Sequence, residues 1–333
     1  MAAGGRGVGS RCEDVRVTRV AAIDCGTNSI RLLVADVDQE AGTLVDLDRR
    51  MEVVRLGQGV DRTGRLAPEA LARTLDAATR YAATCDSLGV EAIRFVATSA
   101  TRDAENRQEF VDGVREALGV EPEVVVGTEE AELSFRGATG VLAGAHPGPF
   151  LVVDLGGGST EVVLGTDAPV AAYSMDVGCV RLTERHLRSD PPAADEIAAA
   201  VRDVRTALDE AAAVVPFGQA VTLVGLAGSV TTVTAHALGL PAYDPSAIDG
   251  AVLGVDATIA ACDDLLGRTR EQRAELGFMH PGRIDVIGAG ALVWREVVTR
   301  VRDDVAAAGG RLDHVVTSEH DILDGIAWSA AAR

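Results

Sequence analysis

The sequence predicts an α/β protein of two related lobes with a cleft between them. Three observations carry this. The chain has 333 residues, enough for two domains of ordinary size. Strand-like and helix-like segments alternate along it, the pattern of α/β folds. One strand–turn–strand pattern occurs twice, at 22–34 and at 152–164, about one domain length apart.

The repeat comes first because it organises the rest. Ala22-Ile23-Asp24-Cys25-Gly26-Thr27-Asn28-Ser29 aligns with Val152-Val153-Asp154-Leu155-Gly156-Gly157-Gly158-Ser159, so Asp24 meets Asp154, Gly26 meets Gly156 and Ser29 meets Ser159. Each copy is an apolar strand, a Gly/Ser/Thr turn and a second apolar strand, which reads as a β-hairpin with a carboxylate at its mouth. Between the copies, 67–88 reads as a helix with Pro68 early and Gly89 after it. Strand 92–97, helix 105–118 ending at Gly119, strand 124–126 and helix 128–140 follow. After the second hairpin come a long Ala-rich helix at 193–214, strand 222–226 and helix 230–238. The last segments are a strand-like run at 284–287, helix 289–301, strand 314–317 and helix 322–331. The expected division is a disordered extension over 1–18, a first lobe over 19–145, a second over 146–317, and a C-terminal helix over 318–333 that packs back on the first lobe.

Composition narrows the function. Hydrophobic residues make up 47% and charged residues 24%, and no apolar run is long enough to span a membrane. Residues 1–18 are rich in Gly and Arg and lack the apolar core of a secretory signal. The net charge of −19 argues against a nucleic-acid or membrane surface. All 31 basic residues are arginine, which excludes Walker-type phosphate binding and Schiff-base chemistry. Five widely spaced cysteines form no CxxC, and six histidines form no HxH, HxxxH or HExxH cluster. A disulfide framework and a zinc site are therefore not expected, and a reducing cytoplasm is.

An acidic protein can hold phosphate only through a local site. A Gly-rich turn points several backbone N–H groups into one concavity that binds anionic oxygens. Gly156, Gly157 and Gly158 allow close approach of phosphate, and Ser159 and Thr160 add hydroxyl donors. Gly26, Thr27, Asn28 and Ser29 offer the same from the other lobe. Asp24 and Asp154 cannot bind phosphate directly. A hard cation, Mg2+ or Mn2+, would join them to it, with Glu161 as a further oxygen ligand.

Other motifs weigh less. Ala227-Gly228-Ser229 runs from a strand into a helix, a place that suits an anion, although Ser and Gly are also ordinary caps. Ile287-Gly288-Ala289-Gly290-Ala291 lacks the third glycine of a dinucleotide loop, and close helix–strand packing explains it better. Glu129 and Glu130 follow Thr128 at a helix start, where acids complement the dipole. His320-Asp321 looks like a metal-phosphohydrolase pair but has no partner histidines, and reads as the start of the last helix.

Taken together, the two Asp–Gly turns, Gly127-Thr128-Glu129-Glu130-Ala131, the Ala97-Thr98 run ending at Arg102, Ala227-Gly228-Ser229 and Arg283-Ile284-Asp285-Val286-Ile287 resemble the exopolyphosphatase/guanosine pentaphosphate phosphohydrolase (Ppx/GppA) family. The resemblance runs from about Val20 to the C-terminus and implies the actin-like fold of the ASKHA superfamily, whose lobes are ribonuclease H-like. It implies Glu130 as general base, Asp154 and Glu161 as metal ligands and Arg102 as a clamp on the terminal phosphate. Beside the resemblance, the turn chemistry above makes Gly26 to Ser29, Gly156 to Thr160, Gly228 and Ser229 the expected phosphate-binding residues and Asp24 a further expected metal ligand. The implied substrate is inorganic polyphosphate; the alternative is a phosphorylated guanine nucleotide or nucleoside triphosphate. An actin- or Hsp70-like ATPase switch and a small-molecule kinase are the further alternatives. Family members pair as homodimers, which makes a homodimer the expectation. The family motif continues Glu-Glu-Ala-Arg, whereas this chain has Glu132, so one phosphate contact is expected to be missing. The chain ends before the HD-like domain of the long members, which suggests the short two-domain form.

Overall fold

The computed structural model describes residues 17–142 and 144–333; the extension expected over 1–18 lies almost wholly outside the described residues. The first sheet is built from β1 (Val17–Cys25), β2 (Ser29–Asp38), β3 (Thr43–Val53), β4 (Ala92–Ala97) and β5 (Glu123–Val124), in the order β3-β2-β1-β4-β5. The first three strands are antiparallel, and β4 and β5 continue in parallel. Alternation along β1 sends Ala21, Ile23 and Cys25 to one face and Val20 and Ala22 to the other, and both faces are buried. Helices α1 (Val60–Thr63), α2 (Pro68–Leu88), α3 (Ser99–Asp103) and α4 (Arg107–Leu118) belong to this half. Of these, α2 and α4 cover the first face, with Tyr81 and Phe110 fully buried. Gly89 and Gly119 end them at φ 65° and 72°, left-handed positions that favour glycine.

After α5 (Gly127–Leu142), the second sheet uses β6 (Phe150–Leu155), β7 (Thr160–Gly165), β8 (Pro169–Met175), β9 (Thr222–Leu226), β10 (Val252–Gly254) and β11 (His314–Thr317). Its order is β10-β11-β9-β6-β7-β8. Reading inward from β8 reproduces the order of the first sheet, with β10 added antiparallel at the edge. The same order in both halves is the actin-like arrangement, so the fold is α/β with two lobes. The remaining helices are α6 (Cys179–Arg185), α7 (Ala194–Ala212), α8 (Ala227–Ala237), α9 (Pro245–Ile248), α10 (Val255–Gly267), α11 (Arg270–Ala274), α12 (Ile287–Ala307) and α13 (Ile322–Ala330). The long amphipathic α7 and the almost wholly apolar first half of α12 pack into the core of the second lobe around Trp294.

Two helices cross between the lobes. Helix α13 lies on the first sheet through Ile322, Leu323, Ile326 and Ala327. Helix α5, which the sequence reading groups with the first lobe, puts Ala131, Phe135, Ala138 and Leu142 against the second sheet. The two touch through glycine. A Cβ on Gly137 would lie 1.9 Å from the Asp321 carbonyl oxygen, and one on Gly325 would lie 2.0 Å from that of Leu133.

Two sequence readings are corrected. The run 284–287 is not a strand: a short 3-10 turn, Pro281–Arg283, leads straight into α12. Four apolar-alternating residues do not distinguish strand from buried helix start, and the sheet edge they would need is taken by β10 and β11. The glycines at 288 and 290 serve close packing, but on a side chain and a helix rather than a strand. A Cβ at Gly290 would lie 2.3 Å from Ser229 Oγ, and one at Gly288 2.6 Å from the Arg273 guanidinium. No helix of the described residues is long and apolar enough to cross a membrane.

Candidate functional site

The two hairpin turns close in the same way. Gly26 N–H donates to the Ser29 carbonyl at 3.0 Å, and Gly156 N–H to that of Ser159 at 3.0 Å. In both, the aspartate is paired across the hairpin with the residue seven positions on: Asp24 with Arg31, Asp154 with Glu161. The repeat therefore places a carboxylate pair in the second lobe and an ion pair in the first. Because β1 and β6 are the central strands of their sheets, the turns at their C-terminal ends face each other across the cleft.

The approach is close enough to demand glycine. A Cβ on Gly157 would lie 3.0 Å from Thr27 Cβ, and one on Gly158 2.5 Å from Thr27 Oγ1 and 2.7 Å from Ser99 Oγ. Thr27 and Ser99 share a hydrogen bond of 2.8 Å beside them. A third wall comes from the start of α8. Ala227 takes φ 67°, a conformation that favours glycine, and this sharp strand-to-helix turn brings Gly228 and Ser229 into the cleft. These two residues thus lie inside the first turn of α8, not ahead of a helix starting at 230.

A cavity of about 100 Å³ lies between the turns. Asp24, Gly26, Thr27, Asn28, Ser29, Glu130, Asp154, Gly156, Gly157, Gly228 and Ser229 all line it, as does Ser159. Four other predicted site residues do not. Arg102 stands behind Glu130, donating to its carboxylate at 3.1 Å and to the Val125 carbonyl at 3.1 Å. Gly158 turns toward the Thr27–Ser99 side. Glu161 is buried beside Asp154 on the neighbouring strand. Thr160 corrects the sequence reading: its fully buried hydroxyl donates to the Val177 carbonyl at 2.7 Å and offers nothing to the cleft. Glu132 is exposed and lines no described cavity, so the arginine absent there takes no contact from this cleft.

The electrostatics are those of buried like charges. Glu130 sits in the first turn of α5, and burial together with neighbouring Glu161 raises its pKa well above the usual carboxylate range, with Arg102 opposing. Burial first and Asp321 second push Asp154 up to about 6. Burial and Asp154 push Glu161 up to about 8. Asp154 accepts from Ser134 Oγ at 2.6 Å and Glu161 from Ser174 Oγ at 2.7 Å, and neither is ion-paired among the described residues. Asp24, by contrast, is bound by both Nε and Nη2 of Arg31, at 2.9 and 2.7 Å. Arg31 also pairs with Asp321, the N-cap of α13. His320-Asp321 is therefore a helix start, as its residues suggest, and Asp321 is tied to the cleft through Arg31 as well.

A second cavity of about 410 Å³ opens from the first and shares Arg31, Met51, Gly228 and Arg283 with it. Tyr243, Phe278 and Met279 form its apolar wall. Arg283 packs over Gly228, where a Cβ would lie 2.3 Å from its guanidinium carbon, and donates to Thr232 Oγ1 at 3.3 Å. Arg31, Arg283 and Asp321 are cleft residues to which the sequence reading gave no role. Arg31 has a signal in its position opposite Asp24 in the repeat; Arg283 and Asp321 stand in motifs the sequence reading names, but they reach the cleft only through long-range packing.

The sequence profile of the Ppx/GppA phosphatase family matches residues 33–310. Exopolyphosphatase 2 of Mycobacterium tuberculosis is 54% identical over 323 residues, covering 95% of this chain and 99% of that protein. The crystal structure of an exopolyphosphatase-like protein superposes with a TM-score of 0.91 at 49% identity, covering 94% of this chain and 97% of that one. The Aquifex aeolicus PPX-GPPA enzyme superposes with a TM-score of 0.77 at 28% identity, covering 94% of this chain and all of that one.

Proposed function

The chain belongs to the Ppx/GppA phosphatase family, and on that premise we propose that it is an exopolyphosphatase releasing terminal phosphate from inorganic polyphosphate. The observation that carries the reading is Glu130: a buried carboxylate facing a small cavity walled by two Gly-rich turns. In this reading the terminal phosphoryl group enters the central cavity. Backbone N–H groups of 26–29 and 156–159, with the hydroxyls of Thr27, Ser29, Ser159 and Ser229, bind its oxygens. Glu130 orients the attacking water and takes its proton. Arg102 holds the Glu130 carboxylate from behind at 3.1 Å, which leaves it a brace on the base rather than a clamp on phosphate in this arrangement. Arg283, which lines both cavities, supplies positive charge toward the rest of the chain.

The donor set fits a hard cation. Asp154 and Glu161 are adjacent and buried, and their charged forms are disfavoured by burial first, then by Asp321 for Asp154 and by Asp154 for Glu161, a cost that a divalent ion relieves. No group of three or more His, Cys, Asp or Glu comes together as a metal cage among the described residues. A Mg2+ or Mn2+ ion held by these two carboxylates would complete its shell with waters and phosphate oxygens. Asp24 is held by Arg31, which it shares with Asp321, so in this reading the metal role falls to Asp154 and Glu161. When bound, such an ion neutralises phosphate oxygens and polarises the bond to be broken.

Ligand carboxylates must ionise before they bind metal. With Asp154 pushed up to about 6 and Glu161 to about 8, Mn2+ affinity in the absence of substrate is expected to rise about tenfold or more from pH 6 to pH 8. Calorimetric titration checks it, and equal affinity at both values removes these residues as ligands. The same shifts carry a stability sign. Folded pKa values above the unfolded ones mean that the native state holds more protons between about pH 4 and 8. These two groups therefore lose stabilisation as pH rises through that window, and added Mn2+ should restore it.

A second reading, hydrolysis of the terminal phosphate of guanosine pentaphosphate or a nucleoside triphosphate, is favoured by the adjoining cavity. At about 410 Å³ with aromatic and thioether walls, it has the size and lining of a small-ligand pocket. One panel separates the readings: phosphate release from tripolyphosphate and longer polyphosphates against guanosine pentaphosphate, ATP and GTP, with and without Mg2+. Release from the polyphosphates at the highest kcat/KM supports the first reading; release confined to nucleotides overturns it.

A further inference from the structure

Helix α6 of the second lobe is clasped to the first lobe, at the back of the phosphate turns. Arg181 donates three hydrogen bonds. Its Nε donates to the Gly158 carbonyl at 2.6 Å, its Nη1 to Asp61 at 2.9 Å, and its Nη2 to Asp103. One turn on, Arg185 binds Asp61 through Nε at 2.7 Å and Nη2 at 2.8 Å, and reaches Asp203 of its own lobe at 3.2 Å. Between them, Glu184 accepts from the Gly59 N–H at 3.1 Å. Asp61 lies on α1 and Asp103 on α3, so every contact except those to Gly158 and Asp203 crosses between lobes.

We propose that Arg181 is a positioning residue that couples closure of the two lobes to the shape of the second phosphate turn. The argument is one of peptide geometry. A trans peptide is planar, with its C=O and N–H pointing in opposite directions. With the Gly158 carbonyl fixed on Arg181, the Ser159 N–H of the same peptide points away from α6, and Ser159 lines the central cavity. Gly158 has no side chain to hold this orientation, and a glycine peptide flips at little steric cost. The guanidinium that holds it is itself fixed by the two first-lobe carboxylates. A planar five-donor fork can serve three acceptors at once, which an ammonium on a flexible stem cannot match. The side chains of Asp61 and Asp103 are 21% and 33% exposed, so each bridge is individually weak and suited to repeated breaking. When the lobes part, Arg181 loses two of its three partners and the turn loses its brace. A substrate-ready amide at Ser159 then exists only in the closed form.

This rests on the reading of the central cavity as the phosphate site. The test uses Arg181→Gln, Arg181→Lys and the double variant Asp61→Asn/Asp103→Asn of the full chain, assayed on polyphosphate with Mg2+. Arg181→Gln is expected to lower kcat at least about tenfold, part of the roughly 10²–10³ that loss of one preorganised donor costs, while KM moves less than about threefold. Arg181→Lys recovers only part of this. The double variant, which leaves Arg181 and Gly158 intact, should also lower kcat, and should lack the fall in kcat with added NaCl that the latch predicts for the parent. A kcat for Arg181→Gln within about twofold of the parent overturns the proposal, as does a double variant with unchanged kcat and salt response. Small-angle scattering without substrate gives a second reading that does not depend on turnover. Both sets of variants should be more expanded than the parent, and equal dimensions overturn the latch even if Arg181→Gln folds poorly. A parent protein that releases no phosphate from polyphosphate while the scattering difference persists would sink the functional reading and leave the latch standing.

Discussion

Replacing Glu130 by Gln is expected to cut phosphate release by about 10²–10⁴, the usual contribution of a positioned general base, while polyphosphate binding changes only a few-fold. Gln keeps the volume and an oxygen able to accept from Arg102, so the helix start and its 3.1 Å contact remain. What it removes is the basic site. The exchange also removes an acid whose charged form is disfavoured by burial first and by Glu161 second, and the protein without bound ligand should become more heat-stable, not less, at pH values where Glu130 is ionised. Loss of turnover with retained binding and a raised Tm would be difficult to explain by damage to the fold. Turnover within a few-fold of the parent would take Glu130 out of the reaction.

The largest stability effect is expected at the crossing of α5 and α13. Gly137→Ala would drive a methyl group to 1.9 Å from the Asp321 carbonyl oxygen, and Gly325→Ala to 2.0 Å from that of Leu133. Both obstacles are backbone and cannot swing aside, so the helices must separate. Overpacking of this kind costs about 1–3 kcal/mol and sometimes more; with backbone on both sides, about 3 kcal/mol or greater is expected for each. Activity should fall too, because Asp321, which pairs with Arg31 in the cleft, lies at this crossing. The control is in the same helix. A Cβ on Gly140 meets nothing within 4 Å, so Gly140→Ala should be neutral or stabilise by up to about 1 kcal/mol through helix propensity. Chemical denaturation of the three variants separates the two effects; equal midpoints for Gly137→Ala and Gly140→Ala would refute the packing argument.

Local patterns were readable wherever local physics decides. Strands 92–97, 222–226 and 314–317 are found at the expected bounds, because each is a short apolar run between turn residues. Helix 67–88 ends at Gly89 as its composition suggests. The edge strands β3 and β8 gave no comparable signal: β3 is largely polar and partly exposed, and its pairing is imposed by β2. The run at 284–287 was misread because apolar spacing over four residues is ambiguous without knowing which sheet edge is free.

By itself, the sequence determined the duplicated Asp–Gly hairpins, the alternation that makes an α/β protein, and the absence of lysine that leaves phosphate to backbone and arginine. These are legible because turn chemistry and side-chain period act over a few residues. The tertiary structure decided what each copy faces. Asp24 and Asp154 occupy matching places, yet one is held by Arg31 and the other is stacked among Glu161, Glu130 and Asp321. The crossing of α5 and α13 and the clasp of Arg181 on Asp61 and Asp103 were likewise settled only in three dimensions. Burial and charge are sums over neighbours that are distant in the chain, so a motif can mark where a site lies while only the packed molecule sets its protonation and its partners.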